Sequence, residues 1–157
     1  ATIQDNLAGL YCSMGDYAKA KSLYHEALKT TKKVYGEEHP STATSLNNLA
    51  SLYAALGRVE DAHTLCSRAQ QIDETLIDQV MGFTSEDQKL SFLATKTTSL
   101  SLFLSLVSQH LLHQPAARRE ALDVWLRRKG VILEAQKRFQ EAVSPRCMRI
   151  LERCWRR

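Results

Sequence analysis

No stretch of this 157-residue chain is long and apolar enough to span a bilayer. Such a span takes about 20 apolar residues, and the richest run, LFLSLV at 102–107, is short and broken by Ser105. Glycine and proline are scarce, six and three in number, which sets aside fibrous and low-complexity classes. The glycines stand singly, so no Gly-rich loop can cradle a phosphate. Four cysteines, at 12, 66, 147 and 154, show neither CxxC nor CxxH spacing. That pattern argues against zinc and against a disulfide framework, and leaves reduced thiols. The chain opens on Ala1 with no basic-then-apolar leader, so the expectation is a piece of a longer, cytoplasmic protein.

Catalytic material is equally thin. His110 and His113 stand three apart near a helix end, but no carboxylate or cysteine is placed to join them around a metal, and the reading is a solvated terminus. No histidine is positioned to activate any of the four cysteines. The chain therefore reads as a non-enzyme without cofactor or metal. What it does hold is 44% hydrophobic and 24% charged residues, enough apolar material for the core of one ordinary domain.

That material is organised as a repeat. Laying residues 1–27 over 43–69 gives eleven identities, among them Asn6-Leu7-Ala8, Leu10-Tyr11, Gly15 and Ala20, which return as Asn48-Leu49-Ala50, Leu52-Tyr53, Gly57 and Ala62. Leu7, Leu10, Tyr11 and Met14 form an i, i+3, i+4, i+7 stripe, as do Leu49, Leu52, Tyr53 and Leu56, so each unit begins with an amphipathic helix. Gly15 and Gly57 stop it, because glycine takes the left-handed conformation without steric cost. A second helix follows, with Ala20, Leu23, Tyr24 and Ala27 packing back on the first and Ala62, Leu65, Cys66 and Ala69 repeating the plan. In GEEHP at 36–40, Gly36 ends one helix and Pro40 suits the first turn of the next. Gln70 stands where the first unit has Leu28, which predicts a different neighbour for the second unit's outer helix.

These residues resemble the tetratricopeptide repeat (TPR), in the 42-residue form with LNNLA and GEEHP found in kinesin light chains and bacterial relatives. The resemblance covers about residues 1–80, as two helix pairs. It implies an all-α fold of antiparallel helix pairs in a right-handed superhelical solenoid, with residues 81–157 as long helices capping the array.

In that second half, Thr84 or Ser85 caps a new helix, with Ser85 and Gln88 in capping-box spacing. Leu93, Leu100, Leu104, Val107 and Leu111 line one face. SLSLFLSL alternates as a strand would, but its setting, free of Gly and Pro, makes it helix. Pro115 opens another helix, in which Leu122, Trp125, Ile132 and Phe139 are expected to form the packed stripe and Gly130 to mark a close backbone contact. Pro145 starts a short basic helix. FTSEDQKLSFL (83–93) and ALDVWLRRKGVILEAQKRFQEA (121–142) look like the helical region that joins a TPR array to a caspase-like CHAT peptidase domain in bacterial proteins. The resemblance implies a connector, with a caspase-like domain as partner in the full-length protein. VSPRCMRILERCWRR at the end does not look like that family's continuation.

On the first helix of each pair, the side opposite the stripe carries Thr2, Asp5, Asn6, Gly9, Cys12 and Ser13, then Thr44, Asn47, Asn48, Ser51, Ala54 and Ala55. In a stacked array this side lines the concave face. Thr2, Asp5, Asn6, Gly9, Thr44, Asn47, Asn48 and Ser51 are the candidate peptide-binding set. Asn amides both donate and accept, which suits an extended peptide backbone, and the family resemblance implies that role for Asn6, Asn47 and Asn48. The alternative is that these amides satisfy neighbouring helices. Residues 1–14 and 40–56 contain no Lys or Arg, which argues against a clamp for a terminal carboxylate. Residues 1–80 carry 7 Lys and Arg against 10 Asp and Glu, and 81–157 carry 14 against 7. The basic half offers Arg118, Arg119, Arg127, Arg128, Lys129, Lys137 and Arg138 to an acidic protein or nucleic acid. Without interleaved aromatics to stack on bases, the reading is against nucleic acid and for a protein-binding scaffold.

Overall fold

Two hairpins of helices, closed by the same turn, set the pattern of the chain. A computed structural model describes residues 2–81 and 86–134. Helix α1 (Thr2–Ser13) pairs with α2 (Tyr17–Tyr35), and α3 (Pro40–Ala55) with α4 (Val59–Met81). At the first turn Gly15, at φ 79°, donates its N–H to Cys12 O, and Asp16 N–H bonds Tyr11 O at 2.9 Å. At the second, Gly57, at φ 72°, does the same to Ala54 O, and Arg58 N–H bonds Tyr53 O at 2.8 Å. Both are Schellman closures, which satisfy the carbonyls a helix leaves open and need a left-handed residue to do so. The starts are capped too. Asp16 accepts from Lys19 N–H, and His39, just before Pro40, accepts through Nδ1 from Ser41 N–H.

The expected contact residues lie inside. Ala20, Tyr24 and Ala27 of α2 and Ala62, Cys66 and Ala69 of α4 are all buried, at i, i+4, i+7. A third set repeats that spacing: Ala117, Ala121 and Val124. They belong to α7, helical over 115–134, which follows α5 (Glu86–Thr95), α6 (Thr97–Leu106) and a π turn at Val107–Leu111. α6 and α7 share one core with the repeats, through Phe103, Leu106, Val107 and Leu111. α7 runs parallel to α4, since Gln114 donates to Glu60 at 2.9 Å, His63 meets Glu120 at 3.3 Å and Arg127 meets Glu74 at 3.3 Å. The arrangement is a third helix pair, with α6 in the place of α1 and α3 and α7 in the place of α2 and α4. No strand occurs among the described residues.

Several sequence expectations need correction. The first unit's stripe is open, with Leu7 41%, Leu10 56% and Met14 69% exposed, while their counterparts Leu49 and Leu52 are 1% and 2% exposed. The difference is position, because α3 packs on α2 and nothing described lies against the same side of α1. In α7 the large residues Leu122 and Trp125 are exposed, and the small ones face inward, because only methyl-sized contacts let the axes come close. Gly130 does not mark a close contact, since a Cβ there would meet nothing within 4 Å. Of the expected stripe Leu93, Val107 and Leu111 are buried and Leu100 and Leu104 pack against the core, but the helix that carries them is interrupted at Lys96, where α5 stops and α6 begins. The hydroxyls of Thr95 and Thr97 donate to the carbonyls of Phe92 and Ala94 there. Phe139, Pro145 and the Thr84 or Ser85 cap lie outside the described residues.

Equivalent leucines in unequal settings give a direct test. Leu52→Ala is expected to cost about 2–5 kcal/mol in urea unfolding, and Leu10→Ala, its counterpart, under about 1 kcal/mol. Equal losses would show that α1 is covered in solution.

Candidate functional site

Two cavities flank α3, both lined by candidate residues. One, of about 330 Å³, lies between α1, the end of α2 and α3, and is lined by Asp5, Asn6, Thr44 and Asn48 together with Thr31 and Tyr35. The other, of about 260 Å³, lies between α3, α4 and the α5–α6 junction, with Thr44, Asn47, Asn48 and Ser51 on one wall and Asp73, Lys96 and Ser99 on the other. Thr44 and Asn48 belong to both, so α3 is the ridge that the two share.

Six of the eight candidate residues thus line a cavity. Gly9 does not, because a Cβ there would sit 3.6 Å from Tyr24 Oη, toward α2. Thr2 opens α1. The asparagine amides are already engaged within the chain. Asn48 donates to Asp5 Oδ1 at 3.3 Å and so ties α3 to α1, while Asn47 donates to Ser99 Oγ at 2.9 Å and so ties α3 to α6.

The far wall of the second cavity was not among the candidates. In that wall buried Asp73 lies 2.7 Å from Lys96 Nζ, and Ser99 accepts at 2.7 Å from Gln70, which does not itself line the cavity. Both are departures from the repeat: Gln70 stands for Leu28, and Asp73 for Thr31. Three residues apart on one helix, they face the same way. That pair of departures is the signal the sequence offers for this wall, and Asp73 carries it as much as Gln70 does. Arg128, counted among the surface basic residues, is buried. Burial lowers its pKa, and the charges of Asp73 and Glu74 oppose that shift. Arg127 is taken by Glu74, and the Lys129 ammonium sits 4.9 Å from the Trp125 ring centre. The basic face of α7 is therefore less free than its composition implies.

Cys66 is buried among core residues and its thiol is pushed up to about 12 by that burial, which keeps it a thiol at neutral pH. His110 and His113 are exposed, and among the described residues no three His, Cys, Asp or Glu side chains come together around a metal position. No helix among them is long and apolar enough to cross a membrane.

Two matched helix pairs, closed by the same glycine turn and holding alanines at the contact, correspond to a known family. Residues 1–75 match the tetratricopeptide repeat family. A clustered mitochondria protein homolog of Meyerozyma guilliermondii is 35% identical over 71 residues, 45% of this chain and 6% of that protein. The kinesin light chain-related protein 3 of Arabidopsis thaliana is 29% identical over 75 residues, 48% and 12% respectively. The chain thus spans a small part of the curated relatives it matches. A crystal structure of nearly identical TPR-like repeats from Podosopora anserina aligns over 94% of this chain and 75% of that one, at 21% identity and a TM-score of 0.44. The TPR match ends before α5, so the third helix pair lies outside it.

Two outcomes follow from this geometry. Iodoacetamide at pH 8 should leave Cys66 unmodified while the chain is folded and modify it in urea, as read by mass spectrometry of the digest. Asp73→Leu leaves a buried ammonium without its partner and should cost about 3 kcal/mol, whereas adding Lys96→Met should recover most of that loss in chemical unfolding. A double variant no more stable than the single one would mean that the pair does not interact.

Proposed function

We propose that the chain is a protein–protein interaction scaffold that binds a peptide or protein segment along the concave face of α1, α3 and α6. The observation that carries this reading is the pair of cavities on either side of α3, which share Thr44 and Asn48 and whose α1 and α3 walls contain no Lys or Arg. Hydroxyls and carboxamides at helical spacing offer hydrogen bonds to a backbone and impose no charge on its side chains. Lacking an activated nucleophile or a group of metal ligands among the described residues, this face is suited to binding rather than to chemistry. The two engaged asparagines do not oppose the reading. Each uses one donor of an amide that has two donors and two acceptor lone pairs.

The test is selection of peptides from a displayed library on the 157-residue chain, followed by calorimetric titration of variants. Asn48→Ala should weaken a selected peptide by roughly 1–3 kcal/mol, the cost of an unpaired group in a desolvated contact, while lowering stability by no more than about 1 kcal/mol for the lost bond to Asp5. Thr44→Lys should weaken it further by filling both cavities. Peptides that bind both variants as tightly as the parent would place the site elsewhere.

A further inference from the structure

The cavity between α1, the end of α2 and α3 differs from its neighbour across α3 in charge. In the neighbour Asp73 and Lys96 cancel, whereas Asp5 is the only charged side chain that lines this one. Lys32 and Lys33, in the last turn of α2, do not line it, and Lys32 is held by Glu37 at 3.3 Å. Asp5 is half-buried, and among the described residues its carboxylate takes one hydrogen bond, from Asn48 Nδ2 to Oδ1 at 3.3 Å. That bond orients the carboxylate and leaves it acceptor capacity, because an ionised carboxylate offers about four lone-pair sites. Two further features of the lining favour the same guest. Tyr35 is stacked on His39, with 4.7 Å between ring centres and 17° between planes, and is still 55% exposed, so its ring is held from one side and accessible. The hydroxyls of Thr30 and Thr44 spend their protons on Glu26 O and Pro40 O. Neither residue is buried, and each oxygen can only accept from the cavity.

Donors line the cavity too, in the amides of Asn6 and Asn48 and the hydroxyls of Tyr35 and Ser41. Each of these groups accepts as well as donates, so it pairs with water or with any polar guest and discriminates little. The uncompensated charge decides. A carboxylate guest would stand beside Asp5 and be repelled. A neutral guest exchanges hydrogen bonds with water for similar ones with the wall and gains little. A cation adds a charge-assisted hydrogen bond, about twice as strong as a neutral one. Between cations, a guanidinium suits this lining better than an ammonium. It is planar and stacks on an aromatic face, it is more weakly hydrated, and its five N–H donors can be shared between Asp5 and the threonine oxygens. A space of about 330 Å³ holds that group with several waters, at about 30 Å³ each. We propose that this cavity is where the bound segment places an arginine side chain, with its guanidinium on Asp5 and against the ring of Tyr35. The proposal rests on a segment binding along α1 and α3 and adds the side chain by which that segment is selected.

Small probes test the pocket without a known partner. N-acetylarginine N-methylamide would be titrated into the ¹⁵N-labelled 157-residue chain beside two analogues: citrulline, which keeps the shape and loses the charge, and lysine, which keeps the charge and loses the plane. The expected result is saturable shifts of the backbone amides of Asp5, Tyr35 and Asn48. Affinity for the arginine probe should be at least fivefold above citrulline and about threefold above lysine. Asp5→Asn keeps an oxygen for Asn48 and so leaves α1 tied to α3, and it should bring the arginine probe down to the level of citrulline. Tyr35→Leu should weaken the arginine probe about threefold. Arginine bound no better than either analogue, undiminished binding to Asp5→Asn, shifts confined to other residues, or no shifts at all would overturn the pocket. The two readings fail separately. If selected peptides bind along α1 and α3 but tolerate Arg→citrulline at every position, the scaffold reading stands and the pocket falls. If the arginine probe binds while no peptide is selected there, the pocket stands and the scaffold reading falls.

Discussion

The approach of one helix to the next at alanine is the constraint on which the rest of this structure depends. Ala20, Ala62 and Ala117 each open an i, i+4, i+7 set that is buried to the backbone. Helices with methyl-sized contacts can lie about 8 Å apart, near the lower limit for packed helices. At that distance the large apolar residues of the partner helix, Leu49, Leu52 and Phe103 among them, fit beside the contact line rather than on it. The same spacing holds the first helices of successive pairs close enough for short polar side chains to bridge them. Asn48 reaches Asp5 and Asn47 reaches Ser99 only because of it. With wider packing those amides would fall short, and the concave face would have no cavities of this size.

The junction between the second and third pairs uses a different interaction from the junction between the first and second. Where Thr31 closes on its own helix and on Ser45, Asp73 extends to Lys96, and where Leu28 packs against core, Gln70 bonds Ser99. Buried polar groups contribute little net stability but penalise every arrangement that leaves them unpaired. An apolar junction would let α6 slide along α4 at small cost. A polar one fixes α6 at the register where Ser99 meets two amides and Lys96 meets Asp73. It also explains why α5 and α6 are separate helices: Lys96 sits at their boundary, and its hold on Asp73 sets where the chain must turn.

Much of the first half was legible because each of its signals is local. Gly15, Gly57 and Pro40 act through their own backbones, and the repeat returns many of the apolar positions, Leu7, Leu10, Tyr11 and Ala20 among them, as Leu49, Leu52, Tyr53 and Ala62. SLSLFLSL could be read as helix despite its alternation, since nothing nearby breaks a helix. The third pair was not legible in the same way. Its turn at Leu112-His113-Gln114 has no glycine, and its π turn shifts the apolar face partway along. In α7, size misled: Leu122 and Trp125 suggest an inward stripe by hydrophobicity, but the neighbouring axis is too close to admit them. Arg128 lies inside for the same reason, as the residue four beyond Val124 on the small face. Beside α3 the near wall is legible in α3 itself, whereas the far wall depends on the meeting of Asp73 with Lys96, 23 residues apart in sequence, which no local pattern encodes.

The charge pattern along the chain then acquires a structural meaning. The first half is acidic overall, yet apart from Asp5 on α1 its charges lie on α2, α4 and the turns, where Asp16 pairs with Lys19 and Arg58 with Asp61. The ridge itself is left with hydroxyls and amides. Exposed pairs of that kind add little to stability, so their placement bears mainly on the surface they vacate. A neutral polar groove attracts no ligand at long range, and its selectivity must come from short-range hydrogen-bond matching. For such a surface the decisive property is the balance of donors and acceptors, and on the far side of α3 that balance is set by Asp73, at which the second repeat departs from the first, and by Lys96 and Ser99 beside it.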